Sequence, residues 1–174
     1  MHHESIRATN PGMPRSVRVE APTLWFSAAH FAISASGEAE PLHGHDYRLH
    51  VDVRGSLNKN DFIADFHDLE RESRRILDPL EHKVLLAERN SALGLDRTPT
   101  EIRVHVGGKR WTLPSDDCYL LPVANTTTEL LAEYFVKCIL EELLEKRLCP
   151  GLRSIEVRLS ESSGFSATSE ISLD

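Results

Sequence analysis

Cysteine is scarce in this chain. The 174 residues hold three, Cys118, Cys138 and Cys149, and no two form a C-x-x-C pair. That excludes a thiolate zinc knuckle and a dithiol redox motif. An odd count also argues against a disulfide framework and fits a reducing cytoplasm. Long apolar runs are missing too. None approaches ~18 residues, so no membrane span is expected. Positive charge is in deficit: the formal net charge is −7 and the pI about 5.7. A chain without a basic footprint is not expected to bind nucleic acid, and an anionic substrate would need locally clustered cations. Met1 to Ile6 lack the apolar core of a signal peptide. There is no internal repeat, no low-complexity tract and no H-E-x-x-H metalloprotease motif.

What remains has the composition of a soluble globular protein, long enough for one domain with a proper core. Residues 1–15 are polar and carry Asn10-Pro11-Gly12 and Pro14, so they read as a loose arm with His2 and His3 at a frayed end. Residues 16–174 read as one domain. Ser16 to Phe31 suggests a first strand bent near Pro22. From His45 to Gly55 the alternation is regular: Tyr47, Leu49, Val51 and Val53 face one way, Asp46, Arg48, His50, Asp52 and Arg54 the other. Period two of this kind marks a strand with one packed face and one polar face.

A helix follows, with Asp65 as N-cap and an apolar stripe through Phe66, Leu69, Ser73, Ile76, Leu77 and Leu80, ending near Pro79. Residues 84–124 are hard to decipher, except that Glu101–Val106, Gly107-Gly108 and Lys109–Pro114 read as a hairpin added to the main sheet. Asn125 to Leu148 reads as a long helix, with Thr126 or Thr127 as N-cap and Glu129 completing an approximate capping box. Two strands, Ile155–Ser160 and Phe165–Leu173, close the chain. The fold class expected is α+β: a four-stranded antiparallel sheet with two helices on one face and an inserted β-hairpin over 101–114. The second sheet face is polar and must be solvated or shared with other subunits.

The chemistry is concentrated in His43-Gly44-His45. Two histidines at i and i+2 of a strand point the same way, about 6.5–7 Å apart at Cα. Zinc–nitrogen bonds of about 2.0–2.1 Å allow inward-leaning rings to share one ion. The hairpin between the first two strands brings His30 towards them. Three imidazoles with the fourth corner open is the arrangement of a catalytic zinc, although other ions also favour imidazole. Taken singly, His30 also suits a core histidine beside Phe31, and Glu161 an exposed strand-end carboxylate.

The pattern resembles the 6-pyruvoyl tetrahydropterin synthase / 6-carboxytetrahydropterin synthase family. The residues that carry the resemblance are Phe26–His30, His43–Tyr47, Ile63–Leu69, Leu80–Lys83, Asn125–Ala132 and Val157–Ser162, in family order and over most of the chain. The resemblance implies the tunnelling fold, in which subunits join sheets into a barrel. It also implies active sites at subunit interfaces, a homo-oligomer that is often a hexamer, and a pterin substrate. It implies a zinc ion (Zn²⁺) on His30, His43 and His45, a pterin anchor at Glu161, and Thr127 and Thr128 near the pterin.

The sequence departs from the family pattern in two places. The cysteine expected four residues before His43 is Ala39, flanked by Glu38 and Glu40. The expected Asp-His pair is Glu81-His82. With the thiol gone, proton transfer falls to His82 assisted by Glu81, or to Glu40. The side chain of dihydroneopterin triphosphate, or of a related pterin, would then be cleaved in an aldolase-like step, which needs only one deprotonated hydroxyl beside the breaking bond. The competing expectation is a relative that binds zinc and pterin but has lost catalysis.

Overall fold

Two stretches of extended chain run along one side of a long central strand, and this arrangement sets up everything near the histidines. The computed structural model describes residues 15–173. The proposed arm, His2 and His3 included, lies outside the described residues apart from Arg15. Strands β1 (Ser16–Val19) and β2 (Trp25–His30) both pair antiparallel with β3 (His43–Gly55), β1 opposite residues 51–54 and β2 opposite 43–48. The bend at Ala21-Pro22-Thr23 between them is the one expected from Pro22.

β9 (Leu152–Ser162) pairs with the other side of β3, and β10 (Phe165–Ser172) pairs with β9. The order β10-β9-β3-β2 is thus the four-stranded antiparallel core read from the sequence. It is extended by two strands that were not foreseen. β4 (Lys83–Ala87) joins β2 in parallel, and β8 (Cys118–Leu121) joins β4 in parallel. The inserted ribbon is also larger than expected. It is a separate three-stranded antiparallel sheet of β5 (Gly94–Arg97), β6 (Glu101–Val106) and β7 (Lys109–Pro114). Gly107 and Gly108 both have positive φ at the β6–β7 turn, as a tight two-residue hairpin requires.

Helix α1 (Phe66–Leu77) is capped by Asp65, whose carboxylate accepts the His67 N–H at 2.8 Å. The chain then passes into a short 3-10 turn, Asp78–Leu80, which tolerates Pro79 near its start. Helix α2 (Thr128–Glu145) has Thr127 as N-cap, but no side chain caps it and the expected capping box does not form. Thr126 bonds elsewhere, as described below.

The core lies between the helices and one sheet face. Leu49↔Leu159, Val51↔Val157 and Val53↔Ile155 are direct cross-strand partners, all almost fully buried. Leu131, Phe135, Ile139 and Leu143 of α2 are buried with them. Phe26 stacks on Tyr47 at 4.8 Å and meets Phe135 edge-on at 5.8 Å. The opposite sheet face carries Asp46, Arg48, His50, Asp52 and Arg54, as the period-two pattern required.

Candidate functional site

His30 is the last residue of β2, and His43 is the first of β3 and its direct cross-strand partner. His45 is two residues on, opposite Ala28. All three therefore project to the helix side of the sheet, at its end. Their ring centroids are 4.6, 4.8 and 5.2 Å apart, and one nitrogen from each lies within 4.8 Å of the others. The convergence expected from H-x-H plus a third strand residue is present.

Backbone carbonyls fix which nitrogens are free. His30 Nδ1 is 2.9 Å from the Thr126 carbonyl, so it carries the proton and donates. His43 Nδ1 donates in the same way to the Pro41 carbonyl at 2.8 Å. Both rings thereby leave Nε2 as the nitrogen that could meet a ligand. His30 is 3% exposed, and its Nε2 is buried with no hydrogen-bond partner among the described residues. A buried nitrogen lone pair with no donor is costly unless something binds it. Burial, followed by the neighbouring His43, holds the His30 pKa below the ordinary histidine value, which keeps the ring neutral as a ligand must be. The residues thus fit a cation with imidazole preference.

The segment leading into α2 braces these histidines. Thr126 Oγ1 donates to the Phe31 carbonyl at 2.9 Å, and the Asn125 side-chain amide bridges Ile33, accepting its N–H at 3.0 Å and donating to its carbonyl at 2.8 Å. In the sequence Asn125 stood out only as part of a motif and Thr126 as a candidate helix cap. Their bracing role escaped notice because neither partner is a side chain. Tyr47, which meets His30 and His45 edge-on in the core, has a buried hydroxyl with no partner among the described residues. Burial and then the Glu161 charge push its pKa well above the usual phenol value.

The remaining candidates fall into separate groups around Gly44-His45-Asp46. Glu81 and His82 form a pair, with Oε1 3.3 Å from His82 Nε2 while Oε2 accepts the Ser27 N–H at 3.1 Å. His82 sits in the left-handed region at φ 59 and its side chain is 80% exposed. It lines a cavity of about 450 Å³ with Ser27, Ala29, Gly44, His45 and Asp46. Glu161 lines a second cavity, about 610 Å³, with His45, Arg48, Ser160 and Ser163. Thr128 Oγ1 donates to Glu161 Oε2 at 2.5 Å, whereas Thr127 is the helix N-cap. Glu40 lines neither cavity. It is exposed and folds back on the segment after His30, accepting the Ala32 N–H at 3.3 Å through Oε2. Ala39, where the family thiol would stand, is buried at 9% exposure.

The family model described as 6-pyruvoyl tetrahydropterin synthase matches residues 22–171. A Methanocaldococcus jannaschii protein named for 6-carboxy-5,6,7,8-tetrahydropterin synthase is 28% identical over 145 residues, covering 83% of this chain and 88% of its own length. Among solved structures, 6-pyruvoyl tetrahydropterin synthase from Plasmodium falciparum aligns with a TM-score of 0.84 at 27% identity, over 92% of this chain and 99% of that one. The Plasmodium vivax enzyme in which a catalytic glutamate is replaced by alanine aligns with a TM-score of 0.86 at 24% identity, with the same coverage.

Proposed function

The chain belongs to the 6-pyruvoyl tetrahydropterin synthase family, whose members are lyases acting on pterins, and from that premise we propose a zinc-dependent lyase that cleaves the side chain of dihydroneopterin triphosphate or a related pterin. One observation carries the reading: three imidazoles converge, and the buried Nε2 of His30 has no partner among the described residues.

His30, His43 and His45 would hold the ion. Bound there, zinc supplies Lewis-acid chemistry, lowering the pKa of a side-chain hydroxyl and polarising the bond beside it. Glu161 is suited to the pterin amino group and ring N–H, since a carboxylate accepts two parallel hydrogen bonds. Thr128 orients that carboxylate through Oε2. Two groups can accept the hydroxyl proton: Glu40, or His82 steadied by Glu81, whose other oxygen is tied to the Ser27 N–H. As the proton leaves, the hydroxyl oxygen forms a carbonyl and the adjacent C–C bond breaks. Its electron pair is taken up by the pterin ring, and the carbon left on the pterin is then protonated. A two-carbon fragment departs and a one-carbon side chain stays. A glutamate is named as a catalytic residue in the Plasmodium vivax relative, which supports a carboxylate base, and we take Glu40, beside the position of the missing thiol, for that role.

His82 is largely open to solvent, and β10 and β8 are the outer strands of the main sheet. Both features support a site completed by neighbouring subunits in a homo-oligomer, a hexamer by family analogy. The free cysteines suit a cytoplasmic location. No described helix is long and apolar enough to cross a membrane.

The test is direct. Zinc-loaded protein incubated with dihydroneopterin triphosphate should release a two-carbon fragment and a shortened pterin, both visible by chromatography. Unchanged substrate over hours, with pterin still bound, would instead establish the silent zinc- and pterin-binding relative.

A further inference from the structure

The ribbon β5–β7 touches the loop that carries Glu38, Ala39 and Glu40. Gly107, at the β6–β7 turn, has φ 53, and a Cβ placed there would lie 2.9 Å from the Gly37 carbonyl oxygen, 3.2 Å from Glu38 Cα and 3.2 Å from Ala39 N. The turn is pressed backbone to backbone onto the loop. Lys109, just past the turn, donates through Nζ to the Ala39 carbonyl at 2.5 Å. That carbonyl belongs to the peptide joining Ala39 to Glu40. Lower in the ribbon, Trp111 stacks on Phe31, with centroids 4.9 Å apart and planes 14° from parallel. Phe31 directly follows the ligand His30.

The loop is itself held in strand form. Ile33 and Ala39 make a bridge, Ser34 N–H donates to the Glu38 carbonyl at 2.9 Å, and Glu40 N–H donates to the Ala32 carbonyl at 2.9 Å. In extended chain, successive side chains face opposite ways. Ala39 therefore turns inward, buried alongside Ile33 in the core cluster that includes Val104 and Val106, and Glu40 turns outward. The position where the family keeps a thiol has become a packing position, and its neighbour presents a carboxylate.

We infer that the ribbon is the positioning element for Glu40, and that Lys109 and Trp111 act through the Ala39–Glu40 peptide and through Phe31 to set that carboxylate. This rests on the reading of Glu40 as the base. Lys109 is a positioning residue: its ammonium fixes the plane of one peptide bond, and a displacement near 1 Å at a base costs up to about 100-fold in rate.

The experiment combines Lys109→Met, Lys109→Arg, Glu40→Gln and the Lys109→Met/Glu40→Gln double variant. It reads kcat and KM on dihydroneopterin triphosphate, bound zinc, and hydrogen exchange at the Glu40 and Ser34 amides. Lys109→Met is expected to lower kcat about 10-fold with KM and zinc content unchanged, and to speed exchange at both amides. Lys109→Arg, which can still donate to the carbonyl, should recover most of the rate. In the Glu40→Gln background, Lys109→Met should cost nothing more, because the group it positions is already gone. Equal losses in both backgrounds overturn the inference, as does full activity in Lys109→Met when Glu40→Gln is dead. Activity that survives Glu40→Gln overturns the assignment of the base, and this inference falls with it. Unchanged exchange at Glu40 in Lys109→Met overturns the inference even if the wild-type protein turns nothing over.

Discussion

A metal-ligating histidine needs its other nitrogen occupied, and here two such locks are main-chain carbonyls, Thr126 on His30 and Pro41 on His43. The Thr126 hydroxyl strengthens the first lock by tying the peptide after His30 to the start of α2. Thr126→Val keeps the shape and removes that donor. The buried Phe31 carbonyl is then left unsatisfied, at a cost of about 1–3 kcal/mol, and zinc affinity is expected to fall about 10- to 100-fold. Chelator competition and thermal denaturation read the two effects separately; unchanged affinity would mean that the β-hairpin alone holds His30. Ala39→Cys is expected to restore no thiol-dependent activity, because the side chain at 39 packs inward. A gain in rate on that substitution, measured with the same substrate, would contradict the placement. At this scale the convergence of the three histidines was legible from sequence because H-x-H in a period-two strand fixes direction. The locks were not, because a backbone carbonyl leaves no mark on residue identity.

At the scale of elements, the stripe of α1 was legible at Leu69, Ser73 and Leu77, but Phe66 at its start is 58% exposed and the buried face also hides a carboxylate. Glu72 is 2% exposed and is held by Lys146 just beyond α2 at 2.5 Å, with Arg71 and Arg75 on its own helix. The stripe alone cannot reveal that partner, since Lys146 is 74 residues away. The hydrogen bond from Lys146, and then that from Arg71, lower the Glu72 pKa from its ordinary value of 4.5. A carboxyl whose folded pKa is depressed stabilises the protein above its unfolded pKa and loses that contribution as pH falls through the folded value. Stability should therefore decline from about pH 4.5 downwards. Glu72→Gln should flatten that acid limb and cost about 1–3 kcal/mol at neutral pH. Urea titrations across pH check both; an unaltered acid limb in the variant would show that the clasp contributes nothing. The parallel strands were illegible for a different reason. β4 and β8 are short, and β4 buries Leu85, Leu86 and Ala87 consecutively, so it shows no alternation. The 94–114 ribbon also separates the two in sequence.

For the molecule as a whole, the question is what meets the polar sheet face and the free edge of β10. Asp52↔Glu156 and Glu156↔Glu170 are direct cross-strand partners, so three carboxylates stand in one row across β3, β9 and β10. Like charges in such a row destabilise a sheet unless they are countered. Arg18 at 3.0 Å from Asp52, and Arg54 between Asp52 and Glu170, do so. A face so balanced within one chain tolerates enclosure in a barrel. The outer edge of β10 offers unpaired backbone groups to a second copy. Adjacent residues in an antiparallel edge strand point their N–H groups alternately to the neighbour and outward. Of Thr168→Pro and Ser169→Pro, therefore, one removes a bond to β9 and the other removes an outward donor, and an edge strand accepts proline only at the outward position. The variant that keeps its circular dichroism and thermal transition is thus the one that has lost the outward N–H. If subunits join through β10, its mass by light scattering should fall well below that of the wild type, and activity should fall with it because His82 loses its enclosure. A wild-type protein that is already monomeric, or a folded proline variant of unchanged mass, removes the β10 edge from the assembly.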